Sequence, residues 1–338
     1  MKRRITLKDI ANQCGYSVNT VSRALRNDRK LSDATIEKIR QTADALGYIP
    51  NSMASSLRSG RSGIIAVIVN DLHNQHFCDL IERMDKELRE QNYSLMILCM
   101  QLEDSLAEEL IHTAISLSVD GILYFPSLGQ RLYIEYMTDN HMPFVLLDRR
   151  VNNVDADTVR CDDEKGGYLA GEHLALLGHR KFLFLSGLDL SSSQIDRLSG
   201  FMRAMDRYGI PESSVRVIPG MQVEEALAKN RLSRHLFPLD YTAIVSFRDE
   251  IAYPVMHVLR ENGIRIPEDI SIISFDNLHA NNPARPFLTS IYADDQSIAR
   301  KSVKMLLERI HDPSLPARNI VLPVQIFDEG TTAAPLLV

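Results

Sequence analysis

The stretch Ser17-Val-Asn-Thr-Val-Ser-Arg-Ala-Leu25 places hydroxyls, an amide and a guanidinium within two helical turns. Such groups bind base edges and phosphates more readily than they break bonds. Ser17 is a good N-cap for a short helix here. Val21 and Leu25, four apart, share one apolar face, while Asn19 and Arg23, also four apart, share a polar one. One face can pack while the other reads.

The elements that must hold this stretch are also legible. Thr6-Leu-Lys-Asp9 is a capping-box-like start, Leu7, Ile10, Ala11 and Cys14 recur at helical spacing, and Gly15 ends that helix. Two short helices joined by a tight turn are the plan of a helix-turn-helix, whose second helix enters the DNA major groove. A helical hairpin can equally just pack, and both readings stay open on these residues alone. A third helix follows the N-cap Ser32, with Ile36, Ile39, Ala43 and Leu46 on one side and Gly47 and Pro50 as its stop.

Charge divides the 338-residue chain unevenly. Residues 1–61 carry 12 Lys and Arg against 5 Asp and Glu, leaving 26 against 39 for the remainder. A basic head ahead of an acidic body suits a polyanionic partner, which attracts and orients the head through counterion release. Cys14, Cys78, Cys99 and Cys161 are widely spaced, which suggests neither a disulfide framework nor a thiolate metal site. The N-terminus lacks the apolar core of a signal peptide, and the strongest apolar run, Gly63–Val69, is too short to span a bilayer. A soluble cytoplasmic protein with no membrane partner is expected.

From Gly63 onward strand-like runs alternate with amphipathic patterns. The expected elements are Ile64–Val69, Leu80–Glu90, Ser94–Cys99, Leu106–Leu117, Gly121–Phe125, Phe144–Leu147, Lys165–Leu177, Phe182–Leu185, Leu198–Tyr208, Val215–Ile218, Ala243–Ser246, Tyr253–Asn262 and Ile270–Phe275. Such alternation argues for parallel sheets covered by helices on both faces. So many cycles exceed one comfortable sheet, so two α/β lobes are expected, with a ligand cleft beyond the carboxyl ends of their strands.

Several phrases resemble the N-terminal signature of the lactose-repressor/galactose-repressor family of bacterial transcription regulators: Thr6-Leu-Lys-Asp-Ile-Ala11, Gly15-Tyr-Ser17, Thr20-Val-Ser-Arg-Ala-Leu25 and Asn51-Ser-Met-Ala-Ser-Ser-Leu57. Val119-Asp-Gly-Ile122, Leu147-Asp-Arg149, Glu172-His-Leu174, Gly178-His-Arg180, Arg197-Leu-Ser-Gly-Phe201, Pro267-Glu-Asp-Ile-Ser271 and Phe275-Asp276 are similar to landmarks of that family's ligand-binding domain. The resemblance implies an all-α helix-turn-helix head on an α/β body of two doubly wound, periplasmic-binding-protein-like lobes. The head would span 1–49 and the hinge 50–62. The effector-binding and dimerisation domain would span 63–338, with an N-lobe of about 63–161 and 292–321 and a C-lobe of about 162–291 and 322–338. The chain would cross between lobes near Cys161, Ile291 and Leu322.

The resemblance also assigns roles. Val18, Asn19 and Arg23 fall at base-reading positions, and Ser17, Thr20 and Ser22 at phosphate-bonding ones. Asn51, Ala54 and Leu57 belong to a minor-groove hinge, where composition alone would read a flexible linker. Arg197, Asp276, Arg248, Asp148, Arg149, His76 and Phe77 fall at effector positions. Expected partners are a pseudo-palindromic operator, a small-molecule effector and a second copy of the chain. The helix carrying Phe77, Leu80, Ile81, Met84 and Leu88 would pack mostly in the core and also border the dimer interface. No leucine heptad stands at the C-terminal end, so a dimer is expected rather than a coiled-coil tetramer.

Three departures from the family pattern bear on the effector. Arg248 precedes Asp249 where the family has Asn, Asn74-Gln-His76 replaces Asn-Pro-Phe, and Gln222 replaces an aromatic. Loss of a stacking ring counts against a plain sugar. A second arginine counts toward an anion such as a sugar phosphate, unless Arg248 pairs with Asp249 or Glu250. Arg197 and Asp276 could likewise form a structural ion pair. No catalytic residues, metal or cofactor are expected: GxSxG, P-loop and GxGxxG patterns are absent, and His73 with His76 lacks a carboxylate at metal-ligand spacing. Asp162-Asp-Glu164 reads as helix-start charge. The rival to a ligand-gated repressor is a cytosolic sugar-binding or sugar-modifying enzyme.

Overall fold

The computed structural model describes residues 5–26, 28, 30–49, 60–101, 103, 105–127, 129–187, 191–228, 231–282 and 284–336. Asn51, Ala54 and Leu57 lie outside the described residues. The chain divides into two compact units, Met1–Ser62 and Gly63–Val338.

In the first unit, helices α1 (Leu7–Cys14), α2 (Val18–Ala24) and α3 (Asp33–Leu46) are each started by a hydroxyl cap. Thr6 and Asp9 satisfy each other's backbone N–H groups in a full capping box. Ser17 and Ser32 each accept from the backbone N–H three residues on. Gly15 and Gly47 end α1 and α3 in the left-handed region, where a side chain would be strained. Ile10, Val21, Ala24 and Ile39 are fully buried in the small core between the three helices.

The second unit begins with β1 (Ile64–Val69), α4 (Gln75–Glu90), β2 (Ser94–Cys99), α5 (Leu106–Ser116), β3 (Gly121–Tyr124), α6 (Arg131–Asp139), β4 (Phe144–Leu147) and β5 (Thr158–Cys161). It continues with α7 (Asp163–Leu176), β6 (Phe182–Leu185), α8 (Ser192–Arg207), β7 (Val215–Ile218), α9 (Gly220–Ala228), α10 (Ser233–Leu236), β8 (Ala243–Ser246) and α11 (Asp249–Glu261). Last come β9 (Ser271–Phe275), α12 (Leu278–Asn281), β10 (Thr289–Ala293), α13 (Asp295–His311), β11 (Asn319–Leu322) and β12 (Val324–Phe327). The strands form two sheets, ordered β11-β5-β4-β3-β1-β2 in the N-lobe and β12-β10-β9-β8-β6-β7 in the C-lobe. The chain therefore changes lobe at Asp162, Asp294 and Pro323.

The central N-lobe strands β1, β3 and β4 are apolar on both faces because both are covered. Ile65, Val67 and Val69 of β1 face α4 and α13, while Ala66 and Ile68 face the α5 and α6 side. Residues Phe77, Leu80, Ile81, Met84 and Leu88 of α4 are buried in their own lobe, so that stripe is core. In the C-lobe, Leu183 and Ile244 pack toward α9 and α11, and Phe182, Phe184 and Val245 toward α7 and α8.

The structure corrects the expected elements in several places. Helices α8 and α11 begin earlier than Leu198 and Tyr253, because they open on polar residues upstream of the apolar stripe, and α4 begins at Gln75, two residues before Phe77. Pro254 sits inside α11, within the range expected for that helix. Strands β5, β10, β11 and β12 and helices α6, α9, α10, α12 and α13 had not been anticipated. The C-lobe sheet is not wholly parallel, since β12 returns antiparallel to β10.

Candidate functional site

In the head, the exposed side of α2 presents Val18, 45% exposed, and Asn19. Ser17 spends its hydroxyl on the Thr20 N–H, and its Oγ lies 2.8 Å from Thr20 Oγ1. Arg23 is half-buried, with its Nε donating to Asp28 Oδ2 at 2.8 Å. Asp28 thus holds the guanidinium through its Nε. The Lys30 N–H and the Arg23 side chain both hold the Asp28 carboxyl below the usual carboxylate range. Sequence reading had not anticipated this pairing.

In the body, strand ends place polar side chains where the lobes meet. Asp148 follows β4 and Asp276 follows β9, both with positive φ, which turns the chain sharply there. His76, Asp148, Arg197 and Asp276 line one cavity with Cys161, Asp163, Tyr292 and Asp295. Arg197 is buried between the rings of Phe247 and Phe275, with centroids 4.8 and 4.4 Å from the guanidinium carbon. Its Nε donates to Asp163 Oδ1 at 2.7 Å, its Nη1 donates to the Phe247 carbonyl at 2.7 Å, and Asp276 Oδ1 is 3.7 Å away. Burial disfavours its charge, but Asp163, Asp276 and Asp148 outweigh that and raise its pKa. Asp163, read earlier as helix-start charge, is a buried ion-pair partner, whereas its neighbour Asp162 caps α7.

Three expected effector residues do not line this cavity. Phe77 is core, with its ring centroid 4.8 Å from that of Phe125. Arg149 is buried, donating to Asn70 Oδ1 and the Pro126 carbonyl, and so ties three N-lobe strand ends together. Arg248 pairs with Glu224 at 2.9 Å and Glu250 at 3.6 Å. Its charge is matched, which removes the argument it had supplied for an anionic ligand. Gln222 is exposed on α9.

The lobes are latched beside the cavity. The Gln75 N–H at the start of α4 donates to Glu250 Oε1 across the cleft at 2.8 Å. Arg150 donates to Asp196 at 2.8 Å and, through its backbone N–H, to Ser192 Oγ at 2.9 Å. Ser193 Oγ donates to the Asp148 carbonyl. Asp295, Asp163, Cys161 and Tyr292 are lining residues that sequence reading missed; the two aspartates each open a helix just after a lobe crossing, the one signal that could have found them. Among the described residues, no cluster of three metal-ligating side chains exists, and no helix is long and apolar enough to cross a membrane.

Behind the cavity, Asp249 is fully buried and accepts from the Leu278 N–H and Ser290 Oγ. Burial, and next the Asp276 carboxylate, push it up to about 8. A folded value above the unfolded one means the folded state holds the extra proton, so this stabilisation is complete at low pH and is lost as pH rises toward 8. The body's melting temperature should therefore fall between about pH 5 and about pH 8.5, and fall less in Asp249→Asn. Melts that track the wild type at every pH would assign the slope to other groups.

Residues 6–51 match the family described as "Bacterial regulatory proteins, lacI family", and residues 172–332 match "Periplasmic binding protein-like domain". The HTH-type transcriptional repressor PurR of Vibrio atlanticus is 31% identical over 332 residues, covering 96% of this chain and 98% of the relative. This chain belongs to the lacI family of bacterial regulatory proteins. PurR of Vibrio vulnificus is also 31% identical, over 91% of this chain and 92% of the relative. A LacI-family transcriptional regulator from Enterococcus faecium, solved with bound ribose, is 29% identical with a TM-score of 0.70, over 80% of this chain and 99% of that one. The Lac repressor dimer bound to operator and the anti-inducer ONPF shares the fold with a TM-score of 0.82 at 24% identity, over 98% and 100% of the two chains. The lacI-family chain is thus an HTH-type transcriptional regulator with an effector-binding domain, and the enzyme alternative falls because its relatives are repressors.

Proposed function

We propose that this lacI-family protein works in the cytoplasm as a homodimer that represses transcription from pseudo-palindromic operators under control of a small molecule bound between its lobes. The head would comprise residues 1–49, the hinge 50–62 and the effector-binding body 63–338. The observation that carries the reading is the capped α1–α2 pair, which leaves Val18, Asn19 and Arg23 outside the core in the basic part of the chain. Support for the dimer comes from the operator-bound Lac repressor dimer, and support for a small effector from the ribose-bound regulator. Asn51, Ala54 and Leu57 would enter the minor groove, with Leu57 wedging the central step. The effector would meet Arg197, Asp276, Asp148 and His76, with Arg149, Phe77 and Arg248 holding the surrounding frame.

A gel-shift experiment at moderate salt with an operator library tests the head. Wild type should select one sequence, and Arg23→Ala should flatten preference at one base pair per half-site by about 1–3 kcal/mol. Ser22→Ala should weaken every sequence alike, as loss of a phosphate contact does. Unaltered base preference in Arg23→Ala would remove that residue from the reading face. Effector and operator must shift each other's affinity by one common factor, typically worth about 1–3 kcal/mol.

A further inference from the structure

We infer that the ligand of the inter-lobe cavity carries a positive charge: a small polyhydroxylated amine in its protonated form, rather than a neutral sugar or a sugar phosphate. This rests on the reading of the cleft as the effector site. Four carboxylates, Asp148, Asp163, Asp276 and Asp295, line the cavity against one guanidinium, Arg197, and one imidazole, His76. Arg197 is already committed, donating to Asp163 and to the Phe247 carbonyl. The other cationic side chains at this level of the fold are engaged away from the cavity: Arg248 by Glu224 and Glu250, Arg150 by Asp196, and Arg149 by Asn70 and the Pro126 carbonyl. Asp148, Asp276 and Asp295 thus face the space with His76, a share of Arg197 and, from the adjoining cavity, Arg83 to balance them.

A second observation points into the same space. His76 is 8% exposed and lines the cavity, yet its Nδ1 has no hydrogen-bond partner; the nearest carboxylate oxygen, Asp295 Oδ1, is 3.8 Å away, beyond bonding distance. An ammonium group there would donate to the carboxylates, satisfying groups that burial otherwise penalises, while the Nδ1–H of a protonated His76 would find its acceptor in a ligand hydroxyl. The groups themselves show that penalty. Burial raises the Asp295 carboxyl, and the carboxylates of Asp295, Asp276 and Asp148 raise His76 despite its own burial. The approach has the same sign, since the adjoining cavity shares Asp276, Tyr292 and Asp295 and adds Asp294 against Arg83. Such a funnel concentrates cations and repels phosphates. Hydroxyls on the ligand fit the remaining carboxylate oxygens, and the Tyr292 ring offers a wall.

The test is a thermal-shift and calorimetric comparison on the full chain, using matched sets: glucosamine, galactosamine and 1-amino-1-deoxysorbitol; glucose, galactose, sorbitol and N-acetylglucosamine; and glucose 6-phosphate and galactose 6-phosphate. At least one amine should bind more tightly than its uncharged counterpart by about tenfold or more, and phosphates should bind least. Asp148→Asn and Asp295→Asn should raise the melting temperature of the unliganded protein while narrowing that preference. A neutral sugar or phosphate that outbinds every amine, or two Asn variants that both melt lower than wild type, would overturn the assignment. The readings separate cleanly: an amine that binds in the cleft without altering operator affinity leaves the charge assignment standing and removes the effector role. A neutral or anionic compound that does alter operator affinity does the reverse.

Discussion

Arg197→Ala is expected to cost the body roughly 3–5 kcal/mol of stability, in addition to its response to an effector. The substitution strands Asp163 in a buried site, leaves the Phe247 carbonyl without its donor and opens a gap between two phenylalanine rings. Family position alone would make this side chain a ligand contact whose loss spares everything else; its burial and its 2.7 Å contacts make it a structural pivot that also borders the cavity. Urea unfolding followed by circular dichroism should show a lowered midpoint with the slope retained. A midpoint within about 0.5 kcal/mol of wild type, the range of ordinary surface substitutions, would return Arg197 to a purely ligand-facing role.

Gly200→Ala and Gly167→Ala should each destabilise, against what helix propensity predicts. Alanine in a helix interior is normally favoured over glycine by about 0.5–1 kcal/mol. Here a Cβ on Gly200 would lie 1.9 Å from the Glu164 carbonyl oxygen, and one on Gly167 would lie 1.9 Å from the Arg197 carbonyl oxygen. Both obstacles are backbone, so relief requires α7 and α8 to move apart rather than a side chain to rotate. Overpacking of that kind costs about 1–3 kcal/mol or more. The Gly167 variant should also disturb the cavity, because the atom it meets belongs to Arg197 itself. Thermal melts should drop by several degrees, at roughly 2–4 °C per kcal/mol for a domain of this size. A rise in melting temperature for either variant would mean that the helices do not approach this closely.

The head was readable in detail because its determinants are local. Thr6 with Asp9, Ser17 with Thr20, and Ser32 with Thr35 are i, i+3 partners, and Gly15 and Gly47 end helices within the same few residues. Capping needs no knowledge of the fold. Buried strands such as Ile64–Val69 were readable for a related reason, since a strand covered on both faces has no polar alternation to dilute its apolar run. Helix starts were less legible: Ser192 and Asp249 open helices whose first residues are polar, so periodicity detected only Leu198 and Tyr253 onward.

By itself, then, the sequence determined the capped helical head, the strand–helix alternation of the body, and the family, since each of these is written in neighbouring residues or in short signature phrases. Only the tertiary structure decided which charges cancel. Arg197 meets Asp163 across 34 positions and Gln75 meets Glu250 across 175, separations that periodicity cannot bridge. Folding turned Arg248 to Glu224 and left Asp148, Asp276 and Asp295 around His76. The physical reason is that a charge acts through the distance and dielectric around it, and both are set by burial between chain segments remote in sequence.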